Sequence, residues 1–141
     1  MYKVFLSINN NEDVVCLPCT PPGIGPKYPQ HNGEYEGLSG DYNVIGPMGL
    51  WTMSISSFFP VGKRYPWMPA ESESDGWKYV DFFARNRPRK LPFRIVILDN
   101  DGVSRLNSAC TVDSFSWSVN RRGDIDYTLE LREYRFVSGV R

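Results

Sequence analysis

Apolar and polar residues alternate with a period of two through much of the chain, and the most extended alternating run comes near its end. Within Gly123 to Phe136, Ile125, Tyr127, Leu129 and Leu131 share one parity, while Asp126, Thr128, Glu130 and Arg132 take the other. This is the pattern of an antiparallel strand with one buried face. Past Leu131 the parity reverses, with Glu133 and Arg135 on the formerly apolar side and Tyr134 and Phe136 on the polar side. The switch predicts a bulge or a strand that leaves its own core, which puts Tyr134 and Phe136 against an arm or a neighbouring molecule. At about 3.3 Å per residue the run from Ile125 to Phe136 would extend roughly 40 Å, about twice an ordinary strand.

Shorter runs predict the other strands. Tyr2 to Ile8 and Val14 to Leu17 form a hairpin around the polar turn Asn9 to Asp13. Tyr35 and Tyr42 to Ile45 are short strands, and Leu50 to Phe58 is a longer one that Pro60 ends. Phe93 to Leu98 reads as a nearly continuous apolar strand, and Cys110 to Val119 as an alternating one. One helix lies between these groups, with Ser74 or Asp75 as its cap, Trp77, Val80, Phe83 and Ala84 as its apolar face, and Pro88 as its end. Two proline-rich stretches, Pro18 to Pro29 and Pro60 to Pro69, cannot form regular elements and read as irregular arms. The element order predicts a single mainly-β (α+β) domain over residues 1–141, an antiparallel β-barrel or sandwich with one flanking α-helix.

At 141 residues the chain is long enough to bury a core without disulfides or metal. Sixteen basic residues balance sixteen acidic ones, so no global field draws it to nucleic acid or an anionic membrane. No apolar run reaches the length of a membrane span, and the start of the chain lacks the character of a signal peptide, so no membrane partner is expected.

Three cysteines fit a reducing compartment. The spacing of Cys16 and Cys19 invites a redox reading, but the Pro- and Gly-rich residues that follow exclude the helix such a pair needs. A zinc site would have to recruit Cys110 and the lone His31, and structural thiols are the simpler reading. No nucleophile, base or phosphate-binding loop meets the pattern of an active site, and the carboxylates at Asp99, Asp101, Asp124 and Asp126 sit where turns favour aspartate. The expectation is therefore a non-enzymatic protein with no cofactor and no metal.

Charge is locally uneven. Arg85 to Arg94 holds five basic side chains in ten residues, and Glu71 to Asp75 is acidic. If neighbouring copies bring the two together, Arg87, Arg89 and Lys90 become interface residues. The alternative is a small β-barrel that binds single-stranded nucleic acid through residues 85–94, with stacking from an exposed aromatic, although the nearby Phe82, Phe83 and Phe93 fit the parity of the core.

Three segments together resemble a known family: Ser54-Ile-Ser-Ser-Phe-Phe-Pro60; the helix Trp77-Lys-Tyr-Val-Asp-Phe-Phe83 leading to Leu91-Pro-Phe-Arg-Ile-Val-Ile97; and Cys110-Thr-Val-Asp-Ser-Phe115 with Asp124 to Arg135. In order and spacing they look like the N-terminal domain of contractile-tail phage baseplate hub proteins, whose longer members carry a LysM module and whose relatives occur in phage-tail-like particles. The resemblance implies a tail-tube-type fold and a structural role at the junction of tail tube and baseplate. It implies a symmetric homo-oligomeric ring that joins the tube to hub and sheath or wedge proteins, located in the virion and assembled in the host cytoplasm. No LysM module follows Glu133-Tyr-Arg135 in this sequence, so peptidoglycan binding is not expected. Tyr28, Phe59, Tyr65 and Trp67 in or beside the two arms are further candidate contacts, because large amphipathic side chains are favoured at interfaces.

Overall fold

The computed structural model describes residues 2–137, so both ends of the predicted 1–141 domain fall outside the described residues. Six strands form one antiparallel sheet: β1 (Lys3–Ile8), β2 (Asp13–Cys16), β5 (Thr52–Phe59), β6 (Phe93–Leu98), β7 (Ser104–Val119) and β8 (Ile125–Glu133), in the order β2-β1-β6-β7-β8-β5. The remaining strands, β3 (Gly33–Gly37) and β4 (Gly40–Val44), pair only with each other. The helix α1 (Trp77–Asn86) runs into a 3₁₀ turn over Arg87–Arg89. The fold is mainly β with one flanking helix, and its sheet curls into a half-barrel.

Local sequence accounts for the turns. Asn9, Asn10 and Asn11 all adopt positive φ, of 51°, 54° and 63°, between β1 and β2. Asparagine tolerates this left-handed region better than other residues with a Cβ. After β6, Asp99 accepts hydrogen bonds from the N–H groups of Asp101 and Val103, each at 2.9 Å, which is the turn role its position predicts. Asp124 departs from that reading. Asn120 serves its turn by accepting from Arg122 and Asp124, and the Asp124 carboxylate reaches away to the arm after β5.

Strand lengths differ from expectation. The final strand stops at Glu133, where its parity changes, and the longest strand is β7. A bulge at Asp113 leaves that residue without a partner on β8, so Val112 and Phe115 both partner core residues of β8, Leu131 and Leu129. A second irregularity between Ile97 and Leu98 bends the other half of β7, and the two together help the sheet curl.

The concave face is filled by aromatic side chains. Phe59 stacks between Tyr79 at 4.6 Å and Tyr127 at 4.0 Å, and Phe83 lies 4.5 Å from Phe115. The helix buries Tyr79, Phe82, Phe83 and Asn86, a 3-and-4 spacing offset from the predicted stripe, which shares only Phe83 with it. Tyr79 and Phe82 join Phe83 in the core, where they bury more area than Val80 and Ala84 would, while Trp77 stays partly exposed; the polar atoms of Tyr79 and Asn86 find partners. The Tyr79 hydroxyl donates to the Cys16 carbonyl and accepts from the Glu73 N–H, while the Asn86 amide donates to Asp13 and to the Phe82 carbonyl. Gly76 begins the helix because a Cβ there would lie 2.6 Å from the Pro60 carbonyl oxygen. The N-cap is therefore Gly76, without a side-chain cap, and not the predicted Ser74 or Asp75; Asp75 lies one residue earlier and accepts from the Trp77 N–H at 3.2 Å.

Candidate functional site

Displacement of the helical stripe leaves Val80 and Ala84 facing an opening between α1 and β7. Val80 and Ala84 form one wall of a groove of about 710 Å³, and Val112, Phe115 and Trp117 form the other. Leu91 and Pro92 also line it. Trp77 meets Trp117 edge to face at 5.1 Å, bridging helix and sheet. The charged residues of the lining are Arg87 and Lys90, both exposed, and no carboxylate lines it among the described residues. The helical stripe read from the sequence is thus split: Phe83 enters the core, while Val80 and Ala84 face this groove.

The β3–β4 hairpin presents a second surface. Tyr35, Leu38, Tyr42 and Ile45 are all exposed, Leu38 completely so. Its base is closed by Gln30, which donates to the Gly46 carbonyl, and Asn32, which accepts from the Gly46 N–H at 2.9 Å, and the flanking chain meets the main sheet where Lys27 and Thr52 exchange backbone hydrogen bonds. Glycine is required at position 46, because a Cβ would overlap the His31 carbonyl oxygen at 1.7 Å.

A third feature is the free edge of β5. Thr52 exchanges both backbone hydrogen bonds with Lys27 on the side away from β8, and beyond the strand Val61 bridges Asp75. In an antiparallel ladder alternate residues face alternate sides, so Ser54, Ser56 and Phe58 direct their N–H and C=O groups outward from the same edge. Among the described residues no strand takes them up. The opposite edge, β2, is partly covered by α1 through Tyr79 and the Cys16 carbonyl.

These surfaces sort the predicted contact residues. Arg87, Lys90 and Tyr134 come together at the groove. Tyr134 packs edge to face on Phe136 at 5.1 Å, both at the surface beyond the end of β8. Arg89 is tied to Glu12 at 2.6 Å and Arg85 to Asp13 at 2.7 Å, which neutralises much of the basic segment within the chain. Glu71 is similarly paired with Lys3. Tyr28 is exposed in the first arm. Tyr65 and Trp67 stack on each other at 5.2 Å and meet Phe58 edge to face, so the second arm folds back on the sheet.

Phe59 is a correction. It is 0% exposed at the centre of the aromatic core, because its parity in β5 is that of Met53 and Ile55, and it offers no surface to a neighbour. Phe82, Phe83 and Phe93, which lie beside the basic segment, are in the core as their parity indicates, so they offer no face for base stacking. The strands of the hairpin are legible, since Tyr35 lies between Glu34 and Glu36 while Tyr42 and Val44 alternate with Asp41 and Asn43, but nothing in that pattern tells that its tyrosine face has no core to cover it.

The second arm is held by Asp124. Burial opposes ionisation of its carboxyl, but the Val61 N–H, the Tyr65 hydroxyl and the Lys63 ammonium outweigh this and hold it below the usual carboxylate range. The cysteines behave as structural thiols, with Cys16 pushed up to about 11 and Cys110 to about 12 by burial. Cys16 and Cys110 are in the core and His31 is at the hairpin base; no three His, Cys, Asp or Glu residues converge among the described residues. Nor is any described helix long and apolar enough to cross a membrane.

No protein-family model matches the chain, and no curated protein matches it. Among solved structures it is similar to a chain of the cryo-EM structure of the anti-feeding prophage (AFP) baseplate, 6-fold symmetrised. The TM-score is 0.54 at 14% identity, over 95% of this chain and 89% of that one. The likeness is one of fold, and it extends over nearly the whole of both chains.

Proposed function

We propose that the protein is a structural, non-enzymatic component of the baseplate of a contractile phage tail or phage-tail-like particle, located at the junction of tail tube and baseplate. In this reading it assembles as a symmetric homo-oligomeric ring that joins the tube to hub and sheath or wedge proteins. The observation that carries the reading is the fold shared end to end with a chain of the anti-feeding prophage baseplate. The free β5 edge and the open groove support it, since both leave bonding groups or apolar surface for another subunit to cover.

The test is made on particles. Contractile particles purified from the source cells should contain this chain in a fixed copy number matching the particle's rotational symmetry, with its density between tube and baseplate in cryo-EM averages. Its absence from intact particles, or presence only in the free cytoplasmic fraction, would sink the proposal.

A further inference from the structure

We infer that the β3–β4 hairpin of one copy seats in the α1–β7 groove of the next copy, so that the chain carries both halves of a head-to-tail contact. This deepens the ring reading above and rests on it.

Three observations point to a second copy. An isolated two-stranded hairpin is marginal in water, and this one holds Leu38 fully exposed with Tyr35 and Tyr42 largely so. A structure of this kind is stabilised when its side chains are taken up elsewhere. The groove offers apolar walls from Val80, Ala84, Val112 and Phe115, and its size falls within the roughly 300–1,000 Å³ of cavities that accept bulky groups.

The charges also match in sign. The chain has no lysine or arginine between Lys27 and Lys63, so Glu34, Glu36 and Asp41 make the hairpin wholly acidic. The groove carries Arg87 and Lys90 with no opposing carboxylate among the described residues. Unlike Arg85 and Arg89, whose acidic partners lie within the chain, neither Arg87 nor Lys90 has an ion-pair partner among the described residues. Complementarity of this kind steers an encounter and rejects a reversed one, in which hairpin would meet hairpin. Because the two surfaces differ, the contact is heterologous and propagates, closing into a ring where the rotation permits.

The full-length chain provides the test. In a Cys19→Ser background, Leu38→Cys and Ala84→Cys are introduced singly and together, both at exposed positions that the fold tolerates. With a short bis-maleimide, the double variant should give a ladder of covalent multimers. An equimolar mixture of the single variants should stop at the heterodimer. In sedimentation experiments Arg87→Glu with Lys90→Glu should weaken self-association at least about tenfold, and adding Glu34→Lys with Glu36→Lys should restore it. The inference is overturned if wild type self-associates but gives no ladder, or if charge reversal leaves association unchanged. It is equally overturned if wild type stays monomeric to millimolar concentration. Whether the baseplate reading stands is decided separately, by the chain's presence in purified particles.

Discussion

The ring of Tyr127 lies 4.0 Å from that of Phe59 with only 9° between their planes, and its hydroxyl is buried with no hydrogen-bond partner among the described residues. Stacking positions the ring and thereby strands its polar atom, since the concave face around it is aromatic. An unsatisfied buried hydroxyl costs about 1–3 kcal/mol. Tyr127→Phe should therefore stabilise the protein by about 1 kcal/mol. Urea unfolding should show a higher midpoint with an unchanged slope.

Phe59 and Trp67 provide a contrast between core and surface. Phe59→Ala should cost about 3–5 kcal/mol, because the cavity opens between two stacked tyrosines that cannot close over it. Trp67→Ala should cost about 1 kcal/mol, since Trp67 is 42% exposed and contributes mainly its stack on Tyr65. Equal losses in denaturant titrations would contradict the placement of Phe59.

How far this division could be read in advance depends on what each residue's parity measures. In β8 alternation in sequence and burial in the structure coincide, whereas β1 and β6 also carry Phe5, Val96 and Leu98 on the half-buried parity, so their sequences mark the strands and the fold decides which face is the core. Parity also marked where β8 ends, because Glu133 cannot continue an apolar face and the strand stops there. The first half of β7 was not legible. Arg105, Asn107 and Ser108 put polar groups on both faces, and their strand character comes from pairing with β6, which only the folded chain supplies. Nor could sequence foresee that Asp113 would bulge, or that α1 would turn Tyr79 and Phe82 inward and leave Val80 and Ala84 to a groove. Within the candidate site, Arg87, Lys90 and Tyr134 were each legible as surface residues, but their convergence depends on how α1 packs against β7.

Acid should release the second arm before the sheet unfolds. Asp124 has its carboxyl held below the ordinary 3.8, so its contribution is fully present above that pH and is lost as pH falls through the lowered value. Protonation weakens the bonds that fix Val61, Lys63 and Tyr65. Tryptophan fluorescence, which senses Trp67, should change below about pH 4 in wild type. Asp124→Ala should show the released signal already at neutral pH and cost about 2–4 kcal/mol, because buried bonds to a charged acceptor are lost. A pH profile identical in the two proteins would remove Asp124 from this role.

Adjacent serines on β5 give the sharpest test of the free edge. Ser57 faces β8, so its N–H belongs to the ladder, whereas the N–H of Ser56 points outward with those of Ser54 and Phe58. Proline removes the N–H and is tolerated only where that group has no ladder partner. Ser56→Pro should keep the native circular dichroism spectrum, and Ser57→Pro should lose about 3 kcal/mol or more. If a neighbouring chain completes the sheet at this edge, Ser56→Pro will remain a folded protein that fails to enter particles, because a strand cannot add where its donor is missing. Normal incorporation of Ser56→Pro would show that the β5 edge is left uncovered in the assembly, and would leave the groove and hairpin to carry subunit contact.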